Sequence, residues 1–188
     1  MVKILRKVWR LGALFFPILY LFQPKEILLL ISGILLAVFI FLEIYRLTHP
    51  KINRKVYHKL HWILKEKERN KITTSTLFIL ALFLTILFFP KEIAVIALVF
   101  LIFGDSAAEI IGLRFGTFKL IGNKSLQGSL GCFIFCLIFG LIFAYYLQVA
   151  FGIVLIGSLA VTIIELIPVK IDDNFTIPLV SALVMFLL

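Results

Sequence analysis

The chain has 188 residues, of which 62% are hydrophobic, and a mean hydropathy of +1.14. A soluble domain is about 45–50% apolar, so this composition excludes an ordinary soluble fold and indicates a polytopic membrane protein. The formal net charge is +9. In a soluble protein that would suggest nucleic acid; here the positive-inside rule accounts for it, and no nucleic-acid partner is expected.

The expected architecture is an all-α membrane helix bundle, a single integral-membrane domain over residues 1–188, with seven transmembrane helices. The apolar runs predict spans at roughly 8–22, 27–45, 72–89, 92–113, 128–147, 150–168 and 174–188. The fifth and sixth come from one long uncharged stretch broken near Gln148–Gly152, because about 20 residues suffice for one crossing. The first is read as a span rather than a cleaved leader, since Gln23-Pro24-Lys25 follows it with no small-residue cleavage site. With the N-terminus cytoplasmic, only Lys25 and Lys91 of the 19 Lys and Arg residues fall outside. That asymmetry sets the orientation and puts the C-terminus outside.

Between the second and third spans, Leu60, Ile63 and Leu64, with Tyr57 and Trp62 nearby, suggest an interfacial helix with basic flanks. His58 and His61 read as surface histidines more readily than as metal ligands. The pair Phe22-Gln23-Pro24-Lys25-Glu26 and Phe89-Pro90-Lys91-Glu92 is a short echo. Pro and Glu both suit a first helical turn, so capping accounts for it without an ancestral repeat. Cys132 and Cys136 read as two buried reduced thiols.

The acidic residues carry the functional signal. Glu43, Asp105, Glu109, Glu165 and Asp172-Asp173 all stand toward the cytoplasmic ends of their spans. An ionisable group in hydrocarbon is costly, so it is a functional hypothesis by default. At 1.5 Å per residue Asp105 lies about 20 Å from Glu92 at the outer face, roughly 10 Å short of a core about 30 Å thick. The last span, Phe175 to Leu188, is short enough to recess Asp173 and Asn174 as well. Two segments thus predict carboxylates in a sunken, cytoplasm-facing pocket. Asp105 and Glu109, at i and i+4, share a face. Ala108, Gly112 and Gly116 are small residues at spacing four, which also reads as close helix packing. A plain ion pair of Asp105 or Glu109 with Arg114 or a lysine of 119–124 is the structural alternative.

The loop after the fourth span, Arg114-Phe-Gly-Thr-Phe-Lys-Leu-Ile-Gly-Asn-Lys-Ser-Leu-Gln-Gly128, is basic and punctuated by glycine. Glycine lets backbone N–H groups approach phosphate, and lysine adds a mobile charge. Lys124-Ser125 before Gly128 is the best phosphate-binding candidate, although the Walker A spacing is absent.

These residues resemble a known signature. Gly104-Asp105-Ser106-Ala107-Ala108, Gly112-Leu113-Arg114-Phe115-Gly116 and Asn123-Lys124-Ser125-Leu126-Gln127-Gly128-Ser129 resemble the polyprenol kinase family. That family includes phytol kinase, dolichol kinase and the CTP-dependent diacylglycerol kinases. Arg6-Lys7, Leu64-Lys65-Glu66-Lys67-Glu68 with Thr73-Thr74, and Asp172-Asp173-Asn174-Phe175-Thr176-Ile177-Pro178 are similar to three further family patches. The chain departs from the family at Arg10, where members often carry His, and at Thr74, where they carry Gly.

The resemblance implies an enzyme that transfers the terminal phosphate of CTP to a membrane lipid alcohol: a polyprenol, a phytol-like prenol or diacylglycerol. It implies Asp105, Glu109 and Asp173 as catalytic residues, with Asp105 and Asp173 holding Mg²⁺. Arg6, Lys7, Gly112, Arg114, Gly116, Lys124, Ser125, Gly128 and Asn174 would bind the nucleotide. The active site would face the cytoplasm from the cell membrane, and the lipid tail would stay between helices. A phosphatidate cytidylyltransferase shares the Asp…Gly-Arg…Gly…Lys…Gly layout, but its longer C-terminal signature is missing here. A small proton- or cation-coupled transporter would use buried acids and leaves the basic loop unexplained.

Overall fold

A computed structural model of the chain describes residues 12–60, 68–122, 124–167 and 171–188. Among them are eight helices and one small hairpin. In chain order these are α1 (Phe15–Phe22), α2 (Lys25–Thr48), α3 (Pro50–Leu60), α4 (Thr74–Phe88), α5 (Lys91–Phe115), β1 (Lys119–Ile121), β2 (Lys124–Ser125), α6 (Leu126–Leu147), α7 (Phe151–Leu166) and α8 (Asp173–Phe186). Each of the seven apolar runs contains a helix; of the first, 8–22, α1 takes Phe15–Phe22, and residues 8–11 lie outside the described residues. The eighth, α3, is an amphipathic helix described from Pro50 to Leu60; the rest of the expected interfacial helix, residues 61–67 with His61 and Trp62, lies outside the described residues.

Three helices, α2, α5 and α6, are long and apolar enough to cross a membrane. Their burial separates their roles. In α5 78% of the apolar window is buried, against 17% in α2 and 28% in α6. A helix hydrophobic all round is the central element. Ile93 to Ile102 is accordingly buried without interruption, and α5 packs against α1, α4, α6, α7 and α8. The outer helices leave large apolar side chains exposed, among them Leu30, Ile34, Phe41, Ile138, Ile142 and Ile163. Chains that bury so little of their apolar surface suit a lipid environment.

Helix boundaries follow local chemistry. Pro24 and Pro90 hold extended conformations at the N-caps of α2 and α5, where a missing N–H costs nothing. The echo around them has a tertiary meaning: Lys25 Nζ donates to the carbonyls of Leu87 and Phe89 (3.0 and 3.1 Å), and Lys91 Nζ to those of Leu21 and Gln23 (3.0 and 3.1 Å). Each lysine at one helix start thus satisfies carbonyls at the end of a helix from the other half of the echo. Cys132 and Cys136 are buried free thiols, packed beneath Gly104 of α5.

The contact of α5 with α6 is close because of Gly128. A Cβ there would stand 2.9 Å from the Ala108 carbonyl oxygen and 3.2 Å from the Gly112 Cα. The backbones therefore approach at Ala108 and Gly112, as small residues at spacing four allow.

Candidate functional site

The polar groups gather at the end of the bundle opposite Lys25 and Lys91. The loop from α5 to α6 folds as an antiparallel hairpin, with Lys119 opposite Ser125 and Gly122 at φ +56° in its turn. Its end is tied to the start of α6: Leu126 N–H donates to the Phe118 carbonyl (2.9 Å), and Gln127 bridges Phe118 N–H (3.2 Å) and the Thr117 hydroxyl (2.7 Å). Ser125 caps α6, its hydroxyl accepting from Gly128 N–H at 3.2 Å. Ser125 and Gly128 thus have structural work in the cap and the helix contact.

This hairpin delivers Lys124 to carboxylates of two other helices. Its Nζ lies 2.5 Å from Glu165 Oε1 at the end of α7 and 3.4 Å from Asp173 Oδ2 at the start of α8. Glu165 is buried, whereas the Asp173 side chain keeps 31% of its exposure and the Lys124 side chain 32%. Burial pushes the Lys124 pKa down, but the hydrogen bond to Glu165 and the charges of Asp173 and Glu165 outweigh it and hold it above the usual lysine value. Lys124 is a fully charged ammonium wedged between two carboxylates. The alternative pairing of this lysine with Asp105 or Glu109 gives way to Glu165 and Asp173, because the hairpin aims it across α6 toward α7 and α8.

Asp172 is the N-cap of α8. Its Oδ1 accepts from Asn174 N–H (3.1 Å) and from the Asn174 side-chain amide (2.6 Å). Its Oδ2 stands 3.3 Å from the Thr74 hydroxyl, which also hydrogen-bonds Glu68. Thr74, Asp172, Asp173, Asn174 and Lys124, far apart in sequence, therefore form one polar cluster. Thr176, in the next turn of α8, carries a buried hydroxyl with no hydrogen-bond partner among the described residues.

A second network, built on buried side chains, adjoins it. Arg46 forms an ion pair with Glu43 and donates to Asn53 Oδ1 (3.0 Å) and to the carbonyls of Glu68 (3.2 and 3.3 Å), Arg69 (3.1 Å) and Lys71 (2.7 Å). Glu43 Oε2 accepts from the hydroxyls of Thr73 (3.1 Å) and Thr76 (3.0 Å) at the start of α4. This network pins the 68–73 segment, and with it Thr74, against α2. Sequence reading counts Arg46 among the loop cations; it is only 5% exposed, and the Glu43 one turn before it was the available signal.

The remaining candidates divide. Asp105 is half-buried and Glu109 exposed, one turn apart on the last part of α5. Gly112 faces Ser125 and Gly128 on α6, and Gly116 is the C-cap of α5. Arg114 is exposed, with its guanidinium 5.4 Å from the Phe115 ring centroid. Arg6, Lys7, Asn123 and His61 lie outside the described residues, and His58 is exposed. Among the described residues no group of three His, Cys, Asp or Glu side chains is placed to hold a metal by itself. Glu165, Glu68 and Thr74 join the site although none stood among the expected site residues. Glu165 had a signal, a lone carboxylate ending an apolar run; its partner is visible only in three dimensions.

Comparison with known proteins finds named relatives. The chain is 34% identical to a probable chloroplastic phytol kinase of Triticum aestivum over 143 residues, which is 67% of this chain and 48% of that protein. It is 29% identical to the CTP-dependent diacylglycerol kinase 1 of Saccharomyces cerevisiae, over 97% of this chain and 72% of the relative. The chain is thus similar to proteins named as phytol kinases and as CTP-dependent diacylglycerol kinases. An uncharacterised protein of Rickettsia prowazekii is 29% identical over 93% of this chain and 88% of its own length. No protein-family model and no solved structure matches the chain. The chain spans about half the length of the wheat relative, 48%, and about three quarters of the yeast kinases. Among the described residues, the fold brings together the patches around Glu68–Thr74, Lys124 and Asp172–Asn174.

Proposed function

We propose that this lipid-kinase relative transfers the terminal phosphate of CTP to the hydroxyl of a membrane lipid alcohol. The observation that carries the reading is the ammonium of Lys124 set between Glu165 and Asp173, beside the Asp172–Asn174 cap. Three sequence-distant patches meet there, and charge of both signs is held ready for a metal-bound polyphosphate. In this reading the seven apolar helices span the cell membrane with the N-terminus inside, and the polar end of the bundle is a recessed site facing the cytoplasm.

The roles follow from the chemistry of each group. Lys124 has three N–H donors, of which Glu165 and Asp173 take two; the third is left for a phosphate oxygen. Arg114, with Arg6 and Lys7 ahead of α1, adds charge against the triphosphate. The Ser125 hydroxyl proton and the second N–H of the Asn174 side-chain amide would complete the cradle. Gly112, Gly116 and Gly128, whose N–H groups are used in the helices and the cap, would contribute by letting the backbones approach. Asp105 and Asp173 present the hard oxygen donors that Mg²⁺ prefers. That ion binds through one or two carboxylates plus phosphate oxygens, so the donor set suits it without a cluster of three. When bound, Mg²⁺ would neutralise charge on the terminal phosphates. Glu109, one turn from Asp105 and exposed, would meet the incoming hydroxyl. Positioning and electrostatics supply most of phosphoryl-transfer catalysis, which suits a site built from fixed charges.

The test is phosphate transfer from γ-labelled CTP with Mg²⁺ to a panel of phytol, polyprenols, geranylgeraniol and diacylglycerol, using Asp105→Asn as control. Labelled lipid that vanishes in the variant is the expected result. CDP-diacylglycerol formed from phosphatidate instead would make the protein a cytidylyltransferase. Neither product, with no CTP binding, would leave a small transporter as the reading.

A further inference from the structure

The lower part of α5 has a second face. Phe103, Ser106, Ala107, Ile110 and Ile111 recur at i, i+3, i+4, i+7 and i+8, and with Phe135 of α6 they line a cleft of about 190 Å³. The walls are apolar except for Ser106. Ile110 is 44% exposed and Phe135 38%, so the cleft opens on the outside of the bundle rather than toward the polar cluster. The ring of Phe103, which lines the cleft, is itself stacked on Phe139 of α6, 3.5 Å between centroids.

Ser106 is the anomaly. It is only 8% exposed, and its hydroxyl has no hydrogen-bond partner among the described residues. A buried serine in a helix ordinarily bonds a carbonyl of the preceding turn. Ser32, Ser129 and Ser181 do so here, to Leu28 (2.6 Å), Ser125 (3.2 Å) and Ile177 (2.7 Å). Ser158 bonds the Leu155 carbonyl (2.8 Å), so Ser106 is alone among the described buried serines inside helices in forgoing that bond. An orphaned buried hydroxyl costs free energy, and a ligand bearing a polar head would remove the cost. Ser106 also marks the border between the two faces of α5: it stands three residues from Glu109 and four from Ile110, so each is its neighbour one turn on.

We infer that this cleft seats the hydrocarbon chain of the acceptor lipid and that Ser106 hydrogen-bonds its hydroxyl. The inference rests on the lipid-kinase reading and deepens it by naming the acceptor's binding residue. The volume lies below the roughly 300–1,000 Å³ of a typical small-molecule pocket, which suits a stretch of one chain with the remainder in the bilayer. A lipid lying along the cleft brings its hydroxyl to Ser106, and the next polar group on the helix is Glu109. The alcohol would thus pass from the lipid side to the carboxylate side of α5 without its tail leaving the membrane.

The test compares the full-length protein with Ser106→Ala, Ser106→Thr and Ile110→Trp in lipid nanodiscs, with long-chain prenol or CTP varied in turn. Ser106→Ala is expected to raise KM for the lipid about tenfold, the worth of one hydrogen bond, and to leave KM for CTP unchanged. Ser106→Thr keeps the hydroxyl and is expected to restore the lipid KM. Ile110→Trp fills the cleft and is expected to suppress turnover of long-chain alcohols while a short, water-soluble alcohol still reacts. Unchanged lipid KM in both Ser106→Ala and Ile110→Trp, or equal rises in both KM values, overturns the inference while leaving the kinase reading intact. Should the unaltered protein phosphorylate no alcohol, the kinase reading fails, and a long-chain alcohol carrying a diazirine decides the cleft on its own. Labelling within 103–111 that Ile110→Trp abolishes supports the cleft; labelling elsewhere overturns it.

Discussion

Replacing Lys124 by Met tests whether its ammonium serves the fold, the phosphate, or both. The change leaves Glu165, 5% exposed, with its counter-charge removed at 2.5 Å, and also releases Asp173. Breaking a buried pair costs about 3–5 kcal/mol. The Lys124 side chain is 32% exposed, so solvent screening brings the estimate down to about 2–3 kcal/mol. At roughly 2–4 °C per kcal/mol for a chain of this size, Tm in detergent should fall by about 4–12 °C. The double variant Lys124→Met/Glu165→Gln neutralises the orphaned carboxylate and should recover most of that loss. Activity should not recover with it: a donor aimed at a reacting phosphate is worth about 10²–10³ in rate, and the double variant still lacks it. The assays are thermal unfolding and phosphate transfer from labelled CTP on all three proteins. A double variant that regains wild-type rate would refute the phosphate role; an unshifted Tm in Lys124→Met would refute the ion pair. The sign of the pH dependence adds a check. A raised lysine pKa contributes stability that is fully present below the usual lysine value and is lost as pH climbs through the raised one, so neutral and mildly alkaline buffers should leave this contribution intact.

Two further changes probe the scaffold. Arg46→Met strands Glu43 and the carbonyls of Glu68, Arg69 and Lys71, and should cost about 3–5 kcal/mol. Limited proteolysis should then cut within 68–73, and adding Glu43→Gln should recover part of the loss; full protection in Arg46→Met alone would show that the network does not hold the segment. Gly128→Ala places a Cβ 2.9 Å from a backbone oxygen that has no side-chain torsion with which to retreat, and should cost about 1–3 kcal/mol by overpacking; a detergent Tm equal to wild type would contradict the close α5–α6 approach.

The helices themselves were legible in the sequence because membrane-type helices advertise themselves. A run of apolar residues satisfies its backbone internally whatever surrounds it, so span and helix coincide, as in 92–113 against Lys91–Phe115 and 128–147 against Leu126–Leu147. The acidic residues stood out for the same reason: Asp105, Glu165 and Asp173 interrupt apolar runs, and charge there demands an explanation. Partnership was not legible. Nothing along the chain pairs Lys124 with Glu165 across 41 residues, or Thr74 with Asp172 across 98; those pairs exist because α5 is the central helix and the hairpin after it turns back toward α7 and α8. The echo around Lys25 and Lys91 reads locally as two helix starts, yet only packing sets each lysine on the other's neighbouring carbonyls. Composition and pattern act within one segment and therefore decided which residues are helical and which charges are out of place. Tertiary structure alone decided which charges meet, because an ion pair or a cap is a distance between segments, and that distance is set by how closely glycines such as Gly128 let the helices approach.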